Sequence, residues 1–316
     1  MLGSLSDAGG PPVVDAVVKN LATLRDEGFS RVWMTQASFE LDVLTALAVA
    51  LREVDTIEIG TAVLPIQNQH PMLLAQRALM LCLIGPGRFT LGLGLSHQLI
   101  TEEKWGISYD RPVRRMREYL DALLPLLAGQ PANALGEIVT ARGALQKSNA
   151  VAPDVYIGAL GPQMLRLAGK RTAGTITWMT GPKMLAERIV PALRQAAAEA
   201  GRPETAVRVV VSLPVSVTDD IAGARARAAV QFSIYGGFPS YRTMLDREGY
   251  SGPEDAAIIG DEKTVSDRLE ELSKSGVDEF VAAIIDADPE TRARARALLR
   301  ACALGPSSPE TASGHA

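Results

Sequence analysis

The run Gly92-Leu93-Gly94-Leu95-Ser96-His97 brings two glycines, a hydroxyl and an imidazole within six residues. A serine nucleophile would need Gly-x-Ser-x-Gly, but Gln98 stands where the second glycine belongs, and a histidine adjacent to the serine cannot act as its base in the usual geometry. A phosphate-cradling loop would need four residues before its Gly-Lys pair, whereas Gly161 and Gly169-Lys170 lie too far apart. The chain has only 3 histidines and no His-Glu-x-x-His, which disfavours a zinc hydrolase. Cys82 and Cys302 are distant from each other, and Cys82 lies in the apolar run Leu79–Leu83, where a buried, unreactive thiol is expected. None of the common hydrolase or nucleotidase signatures survives. A second glycine segment, Gly158-Ala159-Leu160-Gly161, opens onto a helix near Gln163 and Met164. Backbone amides at such a helix start bind phosphate without a lysine, although the residues alone read equally well as an ordinary strand-to-helix turn.

The elements that must position these segments alternate along the chain. Short apolar or β-branched runs read as buried strands at Met1–Ser4, Arg31–Thr35, Glu58–Pro65, Arg88–Gly94, Val155–Ala159, Thr175–Met179, Val207–Val217 and Glu279–Ile285. Alanine- and leucine-rich stretches with helical spacing separate them, as in Val13–Glu27, Leu41–Arg52, Pro71–Leu83, Val113–Ala128, Met164–Arg171, Lys183–Ala200 and Thr264–Lys274. Near-continuous apolar strands alternating with helices imply a parallel sheet covered by helices. A strand count near eight, with no glycine-rich dinucleotide turn after the first strand, favours a (β/α)8 TIM barrel over an open doubly wound sheet. The reading is one barrel domain over residues 1–304, with a disordered tail over 305–316 and a stub of a first strand running into Gly9-Gly10-Pro11-Pro12. After the seventh strand, residues 231–260 carry Tyr235, Phe238, Tyr241 and Tyr250 among glycines and prolines. An insertion there would overhang the C-terminal mouth of the barrel as a lid.

Composition narrows the function class. With 47% apolar and 22% charged residues and a net charge of −4, the chain is an ordinary globular acid, which argues against a nucleic-acid or anionic-membrane partner. The arginine clusters Arg111/Arg114/Arg115/Arg117 and Arg292/Arg294/Arg296/Arg300 fall in helix-like stretches and read as solvated helix faces. No signal-peptide pattern and no apolar run of about 18 residues occurs, so a cytoplasmic protein is expected.

Three segments at strand ends occur together: Gly60-Thr61-Ala62-Val63-Leu64-Pro65-Ile66-Gln67-Asn68-Gln69-His70-Pro71, Gly87 through His97, and Val155 through Met164. In this order and spacing the chain resembles the luciferase-like monooxygenase superfamily, closest to its branch that uses the deazaflavin coenzyme F420. The resemblance runs from about Val13 to Asp286. It implies a bacterial luciferase-like barrel, F420 as coenzyme with FMN as the alternative, a small-molecule substrate (a carbonyl, imine or activated alkene) and a homodimer. It also implies a cis peptide at Ala62-Val63 behind the coenzyme ring. Gly94, Leu95, Ser96 and His97 would lie at the ring edge and polyol chain, and Gly158, Ala159, Leu160, Gly161 and Met164 at the coenzyme phosphate. His97 stands where some relatives place an acidic residue, and a pKa near 6.5 would suit it to donate a proton at neutral pH. Trp178, Tyr235 and Phe238 would line a substrate pocket, though a single tryptophan at a strand end is otherwise core packing. Two departures stand out. Gln36 occupies a position where relatives often carry Asp or His, leaving it to orient substrate by hydrogen bonds, and Thr172-Ala173-Gly174-Thr175 lacks an Asp common in relatives. An FMN-dependent monooxygenase, or a barrel that binds coenzyme or pairs with another subunit without turnover, remain open on these residues.

Overall fold

The computed structural model describes residues 1–5, 13–286 and 288–304. The Gly9–Pro12 turn and the 305–316 tail lie outside the described residues. In chain order the elements are β1 (Leu2–Gly3), α1 (Val13–Asp26), β2 (Arg31–Met34), α2 (Val43–Glu53), β3 (Glu58–Thr61), β4 (Leu64–Pro65), α3 (Pro71–Ile84) and β5 (Phe89–Gly94). Then follow α4 (Pro112–Leu127), β6 (Ala132–Leu135), β7 (Thr140–Gly143), β8 (Val155–Gly158), α5 (Pro162–Arg171), β9 (Gly174–Trp178), α6 (Pro182–Met184) and α7 (Val190–Glu199). The chain continues with β10 (Arg208–Val217), α8 (Ile221–Gln231), α9 (Ser233–Gly237), α10 (Pro239–Glu248), α11 (Pro253–Ala256), β11 (Ile258–Gly260), α12 (Glu262–Lys274), β12 (Glu279–Ile284) and α13 (Pro289–Leu304).

The main sheet runs β1-β2-β3-β5-β8-β9-β10, every pairing parallel, with β4 against the end of β5. The long strand β10 serves two neighbours: β12 along Val210–Val215 and β11 along Val215–Val217. The sheet curls until β12 comes alongside β1, so its two ends meet. This is the barrel expected from the strand count, and the apolar runs become strands because both faces are covered. One face packs on helices through side chains such as Leu47, Leu51, Leu74, Leu123 and Leu193, all essentially inaccessible to solvent. Each such burial contributes roughly 1.5–3 kcal/mol. Helix starts follow local chemistry: Asp42 accepts from the Thr45 amide at 2.9 Å and Asp261 from the Thr264 amide at 2.8 Å, while Pro71 opens α3.

The other face encloses a small interior of Trp33, Tyr156, Ile176, Val210 and Val281. Trp33 and Tyr156 meet edge to face at 5.7 Å, and Gly60 is required beside them, because a Cβ there would lie 2.4 Å from the indole. The N-terminal end of the barrel is closed by charge. Glu279 accepts from Trp33 Nε1 and from Arg31, each at 2.7 Å, and Arg31 also pairs with Glu58. Arginines of both sequence clusters sit on helix surfaces in ion pairs, as Arg111 and Arg114 do with Glu137, Arg294 with Glu262, and Arg296 with Glu27.

Three features depart from the sequence reading. The strand expected over Glu58–Pro65 breaks after Thr61 and resumes as β4, and residues 132–143 form an antiparallel hairpin, β6–β7, beside α4. The insertion expected over 231–260 is built from the helices α9, α10 and α11, and its last three residues, Ile258–Gly260, are not insertion but strand β11 against β10.

Candidate active site at the C-terminal mouth

The floor of the mouth is main chain. The Ala62-Val63 peptide, in the gap between β3 and β4, is cis. Thr61 anchors the gap: its hydroxyl donates to the Gly92 carbonyl and accepts from the Gly92 amide, both at 2.9 Å. β4 then pairs Leu64 with Leu93 and Pro65 with Gly94, and the Ile66 amide donates to the Gly94 carbonyl at 3.0 Å. Side chains have no room along this seam. A Cβ on Gly92 would lie 1.9 Å from the Thr61 carbonyl oxygen, and one on Gly94 would lie 2.2 Å from Val63 Cγ2. Gly158 differs, since a Cβ there would meet nothing nearer than 3.8 Å, an ordinary van der Waals contact. Ala62, Val63, Leu95, Ser96, His97, Gly158, Leu160 and Trp178 are all half-exposed although they end central strands, whereas Leu91, Leu93 and Ile157 one turn deeper are sealed. Together they outline a bowl.

Two walls of the bowl carry hydrogen-bonding potential. Gly161 begins α5 with no side-chain cap, leaving first-turn amides free for an anion, and Thr175 fixes the preceding turn by donating to the Ile157 carbonyl at 2.9 Å. Ala159 and Met164 are buried behind that turn. On the β5 side, Ser96 adopts φ +54°, a left-handed conformation that is uncommon outside glycine. Gln67 donates to the Leu95 carbonyl, while its Oε1 is buried with no hydrogen-bond partner among the described residues.

The remaining wall is aromatic and comes from the insertion. His97 and Phe238 stack with centroids 3.9 Å apart and planes 15° from parallel. Tyr241 and Tyr235 meet the imidazole more obliquely, at 5.8 and 6.3 Å. Trp178 touches Tyr235 at 5.8 Å and Phe232 at 5.6 Å. Its buried Nε1–H leans toward the Tyr235 phenol without reaching hydrogen-bonding geometry, and so has no partner among the described residues. Trp178, Tyr235, Phe238 and His97 are therefore gathered into one cluster. Phe232 and Tyr241 belong to it too; both extend the i, i+3 series of Tyr235 and Phe238, a spacing that could have found them.

Two sequence expectations change. Burial under Phe238 pushes the His97 pKa down to about 4, so the ring is neutral at pH 7 rather than poised near 6.5 as a proton donor. Gln36 is occupied: its amide donates to the Ala37 and Leu41 carbonyls at 3.0 and 3.1 Å and accepts from the Val43 amide at 2.8 Å. It ties the loop that launches α2 and is not free to orient a substrate. Burial also pushes the Tyr235 and Tyr241 phenols up, keeping both protonated. Two hollows lie elsewhere: about 280 Å³ beside β1 and α1, and about 1260 Å³ at the opposite end of the barrel between α12 and α13. Neither is lined by His97, Val63 or Gly158, so size alone is a poor guide to the chemistry here. Among the described residues no group of three or more His, Cys, Asp or Glu is placed to hold a metal ion, and no helix is long and apolar enough to cross a membrane.

The family model described as luciferase-like monooxygenase matches residues 3–279. The chain belongs to the luciferase-like monooxygenase family. Within it, the chain is 30% identical over 294 residues to 5,10-methylenetetrahydromethanopterin reductase of Archaeoglobus fulgidus, spanning 81% of this chain and 86% of the relative. Among solved structures, the coenzyme F420-dependent tetrahydromethanopterin reductase of Methanopyrus kandleri superposes with a TM-score of 0.79 at 22% identity, covering 95% of this chain and 96% of that one. A monooxygenase from Streptomyces bottropensis superposes with a TM-score of 0.76 at 19% identity, covering 95% and 97%. The protein is thus an oxidoreductase-class enzyme on a luciferase-like barrel.

Proposed function

We propose that the protein is an F420-dependent oxidoreductase that passes a hydride between the deazaflavin ring and a small organic substrate, a carbonyl, imine or activated alkene. The observation that carries this reading is the 30% identity to a methylenetetrahydromethanopterin reductase along four-fifths of the chain. The mouth fits such a coenzyme in three ways. Its floor is bare main chain able to lie against a flat ring, Gly158 adds no side chain beside it although a methyl would be accommodated, and α5 offers uncapped amides to a phosphate. Ala62 and Val63 would support the ring, Gly94, Leu95, Ser96 and His97 would hold its edge and polyol chain, and Gly158, Ala159, Leu160, Gly161 and Met164 would hold its phosphate. Bound there, F420 supplies a two-electron hydride donor or acceptor. The chain's own part is orientation and control of protons. With Phe238 stacked on it, His97 is neutral and serves as a hydrogen-bonding group. When Phe238 moves away and before another ring covers that face, solvent reaches the imidazole, its pKa climbs, and it can take up a proton for delivery.

An FMN-dependent monooxygenase is the second reading, favoured by the likeness to the Streptomyces bottropensis monooxygenase. We further propose a cytoplasmic homodimer. Exposed Val49 on α2 and Leu73, Met80 and Leu83 on the neighbouring α3 form an apolar face that pairing would cover. Anaerobic titration of coenzyme-free protein with F420 and with FMN, followed by coenzyme fluorescence, decides between the readings. Tight F420 binding with negligible FMN binding is expected. Preference for FMN with oxygen uptake moves the assignment to the monooxygenase, coenzyme binding without turnover over a broad substrate panel supports a non-catalytic barrel, and binding of neither coenzyme refutes the proposal.

A further inference from the structure

The bowl has two unlike halves, and the aromatic half bears on what the enzyme takes as substrate. Trp178 at the end of β9, His97 after β5, and Phe232, Tyr235, Phe238 and Tyr241 from the insertion form one continuous set of rings, with neighbouring centroids 3.9 to 6.5 Å apart. The His97–Phe238 pair is the tightest of them and the only one stacked face to face among the described residues. A face of His97 is thus already shaped to receive a flat ring. Phe238 occupies it from the non-helical joint between α9 and α10, where a side chain can swing aside without unwinding either helix.

Among the described residues, no charged side chain lies over these rings. The shifts of His97 and Tyr109 come from burial alone, and Tyr241 feels besides burial only the two neighbouring phenols. Three of the charged side chains on the flanking elements are held by partners of their own. Glu102 accepts from Gln98 Nε2 at 2.9 Å and from the Tyr109 amide at 3.1 Å, and Glu248 accepts from the Met184 amide at 2.6 Å. Arg242 donates to Asp246 and to the Tyr250 and Ser251 carbonyls. An anionic or cationic substrate would lose its hydration here and gain no partner, a steep penalty for a desolvated charge. What the site does offer is neutral donors: the unpartnered Trp178 Nε1–H and the protonated Tyr235 and Tyr241 phenols. Such groups suit one carbonyl oxygen or imine nitrogen on an otherwise apolar molecule.

We propose that the substrate is an uncharged, flat, conjugated compound bearing a single carbonyl or imine acceptor, and that its ring takes the place of Phe238 on the face of His97. This rests on the oxidoreductase reading above and adds the substrate class. It divides substrates by charge and planarity, two properties that can be varied one at a time in probes of similar size.

The test uses the F420-loaded protein and three probes: 2-naphthaldehyde, which is neutral and flat; 2-naphthoate, flat but anionic; and cyclohexanecarbaldehyde, neutral but not flat. Binding is read from quenching of tryptophan fluorescence, with Trp178→Phe identifying the responding residue. The expected result is that 2-naphthaldehyde binds at least tenfold more tightly than either other probe. Phe238→Ala should keep or tighten that binding, because it removes the competing ring, while His97→Ala should weaken it at least fivefold. Circular dichroism checks that each variant is folded, and the wild-type probe ranking stands without them. Binding of 2-naphthoate within tenfold of the aldehyde, loss of aldehyde binding in Phe238→Ala, or failure of all three probes to bind overturns the inference. F420 binding is read separately from the coenzyme's own fluorescence. A protein that binds F420 but ranks the probes otherwise refutes the substrate class alone, whereas one that binds no F420 removes both readings.

Discussion

Replacing Phe238 by alanine should return His97 toward the pKa of a free imidazole, and the size of the change follows from the stack. With the phenyl ring 3.9 Å away across its face, the imidazole is shielded from water, and desolvation takes its pKa from 6.5 to about 4. At 1.36 kcal/mol per unit, this difference corresponds to about 3 kcal/mol favouring the neutral ring in the fold. The folded-state value is the lower one, so between pH 4 and 6.5 the unfolded chain binds more protons than the native one. Stability from this group is therefore complete above about pH 6.5 and is lost as pH falls toward about 4. Taking away the phenyl ring opens one face to solvent, and a rise of at least about one unit is expected. The assay is an NMR pH titration of the imidazole Hε1 resonances, with His97→Gln assigning the peak among 3 histidines. Urea unfolding at pH 7 and pH 4.5 should show a larger acid-side loss in the wild type than in His97→Gln. A wild-type His97 titrating at pH 6 or above, or an unchanged value in Phe238→Ala, would refute the argument that the lid sets the protonation state.

Glycines of the floor should separate stability from binding. Gly92→Ala forces a methyl to 1.9 Å from the Thr61 carbonyl oxygen, and a loss of about 3 kcal/mol or more is expected in urea unfolding. Gly158→Ala meets only ordinary contacts, so stability should stay within about 1 kcal/mol while F420 affinity falls at least tenfold; equal losses of stability in the two variants would show that neither position faces the ligand. Gln36→Ala removes three hydrogen bonds from the loop before α2 and should cost about 1–2 kcal/mol with coenzyme binding unchanged. A Gln36→Ala protein of normal stability whose turnover has collapsed would restore this residue to catalysis.

Much of the scaffold was readable because parallel strands covered on both faces must be apolar along their length, and their helices must carry a matching stripe. The runs around Val32, Leu91, Ile157 and Val211 announce themselves for that reason. The β6–β7 hairpin does not. Its residues, such as Asn133, Thr140 and Arg142, stand largely exposed beside α4 and carry no apolar run. The interruption after Thr61 is equally silent, since Thr61-Ala62-Val63-Leu64 scans as one buried strand and only the resemblance marked the bond within it. Gln36 misled because an amide at a strand end looks available, while the neighbouring loop's need to satisfy the carbonyls of Ala37 and Leu41 is invisible until the backbone turns. The protonation state of His97 was out of reach for a different reason: it is set by Phe238, a residue distant in sequence whose approach depends on how α9 and α10 fold over the mouth.

The two halves of the mouth answer to different physics, and this divides the labour of the enzyme between parts of the chain. The floor is fixed by collisions that leave no freedom, because Gly92 and Gly94 are pressed against Thr61 and Val63 at distances no side chain can share. Such a surface holds one rigid ring and cannot be tuned residue by residue. The aromatic wall is fixed by ring contacts, each worth about 0.5–1.5 kcal/mol beyond burial and none obligatory. Exchange of Phe232, Tyr235, Phe238 or Tyr241 alters shape and hydrogen bonding while the barrel beneath is left intact. Coenzyme choice should therefore follow the strand ends and substrate choice the α8–α10 segment, so that grafting residues 231–249 of a relative with a different substrate transfers its substrate preference without altering F420 affinity.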